Sequence, residues 1–151
     1  LDEPAMVLKK ELTDIPFFGW FIHKFRMIPV ERSAGTQALR TLVAVAERAI
    51  AMGRQVVIMP EGTRRAPDDP PDYKPGAAAL YGKLGVACVP FALNSGLYWP
   101  RRKFLRKPGT IVISFLEAIP PGLHRKEFQS RLETAIEVET KRLVAEARAS
   151  V

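Results

Sequence analysis

Val56-Val57-Ile58-Met59-Pro60-Glu61-Gly62-Thr63-Arg64 is the stretch that decides how this chain reads. Four apolar residues in a row, three of them β-branched, predict a strand over 55–59 buried on both faces. Pro60 ends it, because a residue without an N–H cannot continue the ladder of a central strand. An acid, a glycine, a hydroxyl and a guanidinium then follow in consecutive positions. In an open α/β sheet, ligands bind outside the carboxyl ends of the strands, which is where these residues fall.

Outward from this stretch, strand and helix signals alternate. Residues 5–8 and 27–30 read as short strands, the second placed at a sheet edge or broken early by Pro29. Between them, residues 16–25 form an aromatic helix. Residues 36–52 give the clearest helix, with Leu39, Leu42, Val43, Ala46, Ala49 and Ile50 three and four apart and Gly53 at the stop. Residues 65–72, rich in proline and aspartate, read as a loop, and Lys74-Pro75-Gly76 opens a helix of small residues through Lys83. Strands follow at 86–93 and 110–116, then an amphipathic helix over 124–149 with Phe128, Leu132, Ile136, Leu143 and Val144 on one face. Such alternation predicts an α/β fold: a mostly parallel central sheet covered by helices on both faces. No repeat, low-complexity tract or linker divides the sequence, so residues 1–151 read as one domain.

At 151 residues the chain can bury a full core, and its 47% apolar and 26% charged residues are those of a globular protein. No stretch approaches the roughly 20 apolar residues that span a bilayer. The single cysteine, Cys88, cannot close an intramolecular disulfide and reads as core packing in a reducing compartment. A net charge of +7 calls for an anionic partner: nucleic acid, an acidic membrane surface or a phosphorylated substrate.

Three loops fall at predicted strand ends: Glu31-Arg32, Glu61-Gly62-Thr63-Arg64 and Asn94-Ser95-Gly96. In a parallel sheet they converge on one edge. Arg32 and Arg64 then point two forked, permanently charged donors into one cleft, which suits a phosphate. Gly62 lets backbone approach the ligand, and Lys74 adds a third cation on the rim. The competing reading pairs Glu61 with Arg64 to hold the turn.

These residues resemble the glycerolipid acyltransferases. Pro60-Glu61-Gly62-Thr63-Arg64 is similar to that family's third sequence block, with Met59 where most members have phenylalanine. Ile28-Pro29-Val30-Glu31-Arg32 resembles the second block, with Glu31 in place of the usual aspartate, so that Arg32 alone carries over. Val89-Pro90-Phe91-Ala92-Leu93 resembles the fourth block, and Tyr73-Lys74-Pro75-Gly76 the lysine-glycine step after the third. The stretch from Lys9-Lys10-Glu11-Leu12 to Gly19-Trp20 also matches in order.

The resemblance implies an enzyme that transfers a fatty acyl group from an acyl-CoA or acyl-carrier-protein thioester to the free hydroxyl of 1-acylglycerol-3-phosphate, giving phosphatidic acid in phospholipid biosynthesis. It implies Arg32, Glu61, Gly62, Thr63, Arg64 and Lys74 as acceptor-binding residues, with neither metal nor bound cofactor. The family's first block, His-x-x-x-x-Asp, supplies a general base and its orienting aspartate. Neither histidine fits, since Ile28 follows His23 by five positions and Gln129 follows His124 by five. His23 then reads as a surface or packing residue and His124 as the start of the last helix. The block is expected upstream of Leu1, in keeping with the absent initiator methionine. On this reading the chain is an N-terminally truncated acyltransferase domain, inactive alone. The alternative is a non-catalytic module of the same fold that binds acidic lipid or phosphate.

Two stretches bear on location. Residues 98–107 interleave Tyr98, Trp99 and Phe104 with five basic residues, which suits either a peripheral contact with an acidic membrane or a solvated loop. Phe17-Phe18-Gly19-Trp20-Phe21-Ile22 is apolar enough to face lipid or an acyl chain, or to form a core helix. Together they place the protein peripherally on the cytoplasmic face of a membrane. The basic residues form no known nucleic-acid reader, which removes nucleic acid from the expected partners.

Overall fold

The computed structural model describes residues 3–101 and 104–149, the Arg32 side chain excepted. Strand β1 (Ala5–Lys9) lies at the centre of a three-stranded parallel sheet, between β2 (Ile28–Val30) and β3 (Val56–Val57). Val7, Leu8 and Lys9 stand beside Ile28, Pro29 and Val30, and Ala5 and Met6 beside Val56 and Val57. Pro29 is therefore on an edge strand, as its missing N–H requires. The strand expected over 55–59 is shorter than its apolar run, and Val56, Val57 and Ile58 are only half-buried with Met59 exposed. As an edge strand, β3 has a partner on one side alone.

The crossover helix α2 (Gly35–Ala51) buries Leu42, Ala46 and Ala49 against Ala5 and Ile28 of the sheet and against Leu80 of α3 (Gly76–Leu84). Its end is built as the sequence predicts. Gly53, at φ +75°, donates its N–H to Ile50 O at 2.8 Å, and Arg54 N–H reaches Ala49 O at 3.0 Å. That pair of bonds closes the helix around a glycine. The reversal delivers Arg54 to four carbonyls: Glu3 and Arg26 at 3.0 Å, Phe25 at 2.9 Å and Pro4 at 3.4 Å. One guanidinium thus ties the start of β1 to the end of α1 (Phe18–Lys24).

The chain divides into two compact units: residues 3–62 with 74–84 carry the parallel sheet, and residues 63–73 with 85–149 form the second. In the second, β4 (Phe91–Leu93) pairs with β5 (Ile113–Phe115) antiparallel, Phe91 beside Phe115 and Leu93 beside Ile113. The strands expected over 86–93 and 110–116 are thus short, although Cys88 and Ile119 exchange both backbone bonds farther along, at 2.9 and 2.7 Å. Pro90 interrupts the ladder as a donor while its carbonyl still accepts from Leu116 N–H at 2.9 Å. Cys88 is half-buried rather than deep in the core, and burial pushes its thiol above the ordinary pKa. Helix α5 (Arg125–Ala149) turns Phe128, Leu132, Leu143 and Val144 inward, with Ile136 half-buried. Among the described residues no helix is long and apolar enough to cross a membrane.

Candidate functional site

In the first unit, the carboxyl ends of three parallel strands carry Lys9-Lys10, Glu31-Arg32 and, past β3, Pro60-Glu61-Gly62. Lys10 Nζ donates to Glu31 Oε2 at 2.7 Å and Ser33 Oγ to Oε1 at 3.2 Å. The Lys10 ammonium, then the Ser33 hydroxyl, hold the Glu31 carboxyl below its usual range. Glu31 is therefore an anchored carboxylate between two strand ends. Arg32 opens a short 3-10 turn (Arg32–Ala34), and its side chain lies outside the described residues.

After β3 the chain turns sharply. Gly62 N–H bonds Met59 O at 2.9 Å, closing a four-residue turn with proline second, and Gly62 sits at φ +66°. A side chain there would meet the left-handed penalty that glycine avoids. Lys74 N–H then bonds Pro60 O at 2.8 Å, so the excursion through 61–73 is a closed loop whose two feet touch. Lys74 is thereby brought to the foot of the turn, and its side chain is exposed.

The second unit holds Thr63 and Arg64, both exposed. Their loop is pinned to α5 by Arg148 to Asp68 at 2.6 Å and by Tyr73 Oη donating to Glu137 at 3.1 Å. Arg65 faces Asp72 at 3.7 Å. Arg64 carries no ion pair among the described residues, so the alternative in which Glu61 neutralises it gains no support. Its guanidinium lies 5.8 Å from the centre of the Trp99 ring.

Asn94-Ser95-Gly96 lies in this second unit, after β4, a strand of the antiparallel pair. Asn94 is buried, its Oδ1 accepting from Val112 N–H at 2.9 Å and its Nδ2 donating to Thr110 O at 3.4 Å. An amide engaged at both ends holds the approach to β5, with one N–H and one oxygen lone pair beyond these two bonds. Ser95 and Gly96 enter the short helix α4 (Ser95–Tyr98).

Both histidines are exposed. His23 stands in the last turn of α1, and His124 precedes α5, its carbonyl accepting from Phe128 N–H at 2.9 Å. Among the described residues no three His, Cys, Asp or Glu side chains gather to hold a metal.

A feature the sequence left open is the surface of α1. Gly19 and Ile22 face inward, and Phe17, Phe18, Trp20, Phe21 and Phe25 are exposed, Phe17 by 85%. Phe18 N–H bonds Pro16 O at 2.7 Å across Phe17, whose φ of +63° makes a strained γ-turn. The exposed rings contact one another, Trp20 to Phe21 at 5.0 Å and Phe21 to Phe25 at 6.0 Å, with Lys24 Nζ 4.5 Å above Trp20. The core-helix alternative for this stretch does not hold.

Residues 1–94 match the sequence model of the acyltransferase family. The chain is 35% identical over 120 residues to a 1-acyl-sn-glycerol-3-phosphate acyltransferase of Pseudomonas aeruginosa, covering 80% of this chain and 45% of that protein. It is 30% identical over 110 residues to a 1-acyl-sn-glycerol-3-phosphate acyltransferase of Chlamydomonas reinhardtii, covering 72% of this chain and 33% of the relative. It thus spans less than half the length of these curated relatives. The fold superposes on the crystal structure of the 1-acyl-sn-glycerophosphate acyltransferase PlsC from Thermotoga maritima with a TM-score of 0.74, over 93% of this chain and 57% of that one, at 22% identity. A family match over most of the chain, on a fold whose parallel strands end in the expected blocks, has one meaning: the chain belongs to the acyltransferase family.

Proposed function

We propose that this chain contributes the acceptor-binding part of a 1-acyl-sn-glycerol-3-phosphate acyltransferase. In the reaction, the acceptor's free hydroxyl oxygen attacks the thioester carbonyl of acyl-CoA or acyl-carrier protein. The C–S bond breaks, the thiol leaves with the proton, and phosphatidic acid forms. The observation that carries this reading is Arg64: an exposed guanidinium in the stretch of sequence that follows β3, 5.8 Å from the Trp99 ring centre and without an ion pair among the described residues. A forked cation left in that state is a receptor for phosphate. Arg32, Glu61, Gly62, Thr63 and Lys74 are the other acceptor-binding residues of the proposal.

In this proposal the base that takes the hydroxyl proton lies outside residues 1–151, which contain no His-x-x-x-x-Asp. The same observation favours a second reading, a non-catalytic module that binds phosphate or acidic lipid. Sequencing the gene upstream of Leu1 separates the two: a His-x-x-x-x-Asp there supports the enzyme, and a start codon at this point supports the module. Within the enzyme reading, the exposed aromatic face of α1 docks the protein peripherally on the cytoplasmic side of an acidic membrane.

The test is Arg64→Ala in the full-length protein. A charge-assisted hydrogen bond contributes about 1.5–3 kcal/mol, so the KM for the phosphorylated acceptor rises roughly tenfold to a hundredfold, with little change in the KM for the acyl donor. An unchanged acceptor KM removes Arg64 from the phosphate site.

A further inference from the structure

Residues 98–107 close on themselves as a loop of the second unit. Lys107 N–H bonds Tyr98 O at 2.9 Å across the neck, and the Tyr98 ring lies against Gly109, where an added Cβ would come within 1.9 Å of it. Within the loop the Arg106 guanidinium is 4.6 Å from the Trp99 ring centre, and its Nη1 donates to Phe104 O at 3.0 Å. Arg106 is thereby taken up in the loop's frame. What that frame holds outward is apolar: Phe104 is 99% exposed and Leu105 beside it 77%, with Trp99 half-exposed. Arg101 lies three residues before Phe104 and Lys107 two after Leu105, both exposed and each within about 11 Å of backbone from that pair. No Asp or Glu occurs between Asp72 and Glu117 to neutralise the stretch locally.

A solvated loop accounts for the cations of this stretch but not for two adjacent large apolar side chains held in water. Single exposed hydrophobic residues are ordinary, whereas a neighbouring pair between cations presents apolar and positive surface together. An anionic bilayer meets both needs. Its acyl region takes the apolar pair, the headgroup level suits the indole, and acidic lipids attract the cations. A neck that is already closed lowers the ordering cost of such a contact. We propose that residues 98–107 are a membrane-inserting loop, with Phe104 and Leu105 entering the acyl region and Arg101 and Lys107 facing anionic headgroups. The loop is a contact separate from α1, which belongs to the first unit. The proposal rests on the proposed function in taking the acceptor from a bilayer, and its test keeps the loop and α1 apart.

The full-length protein is sedimented with vesicles of phosphatidylcholine alone and of phosphatidylcholine mixed with phosphatidylglycerol. Phe104→Ser with Leu105→Ser lowers partition onto the anionic vesicles at least about tenfold. Arg101→Gln with Lys107→Gln lowers it about tenfold there and less than about twofold on phosphatidylcholine alone. If Phe17→Ser with Phe21→Ser lowers partition and the loop variants do not, α1 stands as the docking face and the loop falls. If the loop variants alone lower it, the loop stands and α1 falls, and if neither does, both fall. Insertion itself is read from a nitroxide at Leu105→Cys, with Cys88 and any other cysteine replaced by serine, by electron paramagnetic resonance. On anionic vesicles its collisions with oxygen rise and those with an aqueous nickel chelate fall. A label that stays open to nickel on vesicles that bind the protein overturns the inference. A label already shielded from nickel without vesicles assigns the pair to a protein contact and overturns it as well.

Discussion

Gly19→Ala separates helix propensity from tertiary packing. Gly19 is inside α1, where alanine is ordinarily favoured by about 0.5–1 kcal/mol. In the structure, however, its missing Cβ points at the backbone of Thr13, 1.9 Å from the carbonyl oxygen and 2.8 Å from the carbonyl carbon. Ordinary contact begins near 3.4 Å, so α1 and the 3-10 turn (Lys10–Asp14) must separate by about 1.5 Å. Neither side yields easily. Thr13 Oγ1 is bonded to Lys10 O at 2.6 Å, and Gly19 N–H to Ile15 O at 2.8 Å. Overpacking of this kind costs about 1–3 kcal/mol, which exceeds the propensity gain. A net loss near 1 kcal/mol lowers Tm by roughly 2–4 °C in a chain of this size. Calorimetry measures the shift, and Trp20 fluorescence in a Trp99→Phe background reports the movement of α1. Gly82→Ala is the control, on the exposed face of α3 with nothing within 4 Å of its Cβ, and it stabilises by about 0.5–1 kcal/mol. A Gly19→Ala protein as stable as the wild type would refute the close packing of α1 on the turn.

Three further outcomes follow from the structure. Arg54→Leu leaves four carbonyls without their shared donor and costs about 2 kcal/mol, seen as a lower urea midpoint, and Arg54→Lys recovers little because an ammonium cannot fork to all of them. Phe17→Ser with Phe21→Ser weakens sedimentation with vesicles containing anionic lipid at least about tenfold, and unchanged sedimentation removes α1 from the docking surface. Glu139 is held down at about 2, first by the Arg142 guanidinium and then by the Ser114 hydroxyl of β5. Its folded value lies below the ordinary 4.5, so its stabilising contribution is complete above that pH and is lost as pH falls toward 2. Acid titration of Glu139→Gln, followed by circular dichroism, shows a shallower loss of structure across that window; an unaltered curve would mean that Glu139 does not couple α5 to β5.

Much of this architecture was written locally. The stripe from Leu39 to Ile50 and the stop at Gly53 define α2, because helix period and a left-handed cap are properties of neighbouring residues. Pro29 placed β2 at an edge for an equally local reason, the absence of an N–H. The ordered blocks around Glu31-Arg32, Glu61-Gly62-Thr63-Arg64 and Tyr73-Lys74-Pro75-Gly76 carried the family. What remained hidden depends on partners distant in the chain. The direction in which β5 meets β4 is set by how the intervening loop returns, and antiparallel pairing leaves the same apolar run as parallel pairing. Nothing local to Asn94 shows that its amide bonds Thr110 and Val112, sixteen and eighteen residues away. Gly19 reads as a weak point of a helix until Thr13 is found against it. By itself, then, the sequence determined the succession of elements, the cap of α2 and the chemistry carried to the strand ends. Only the tertiary structure decided which rings of α1 face outward and that Arg64 and Arg106 share the Trp99 ring, because those depend on where distant segments of backbone close on one another.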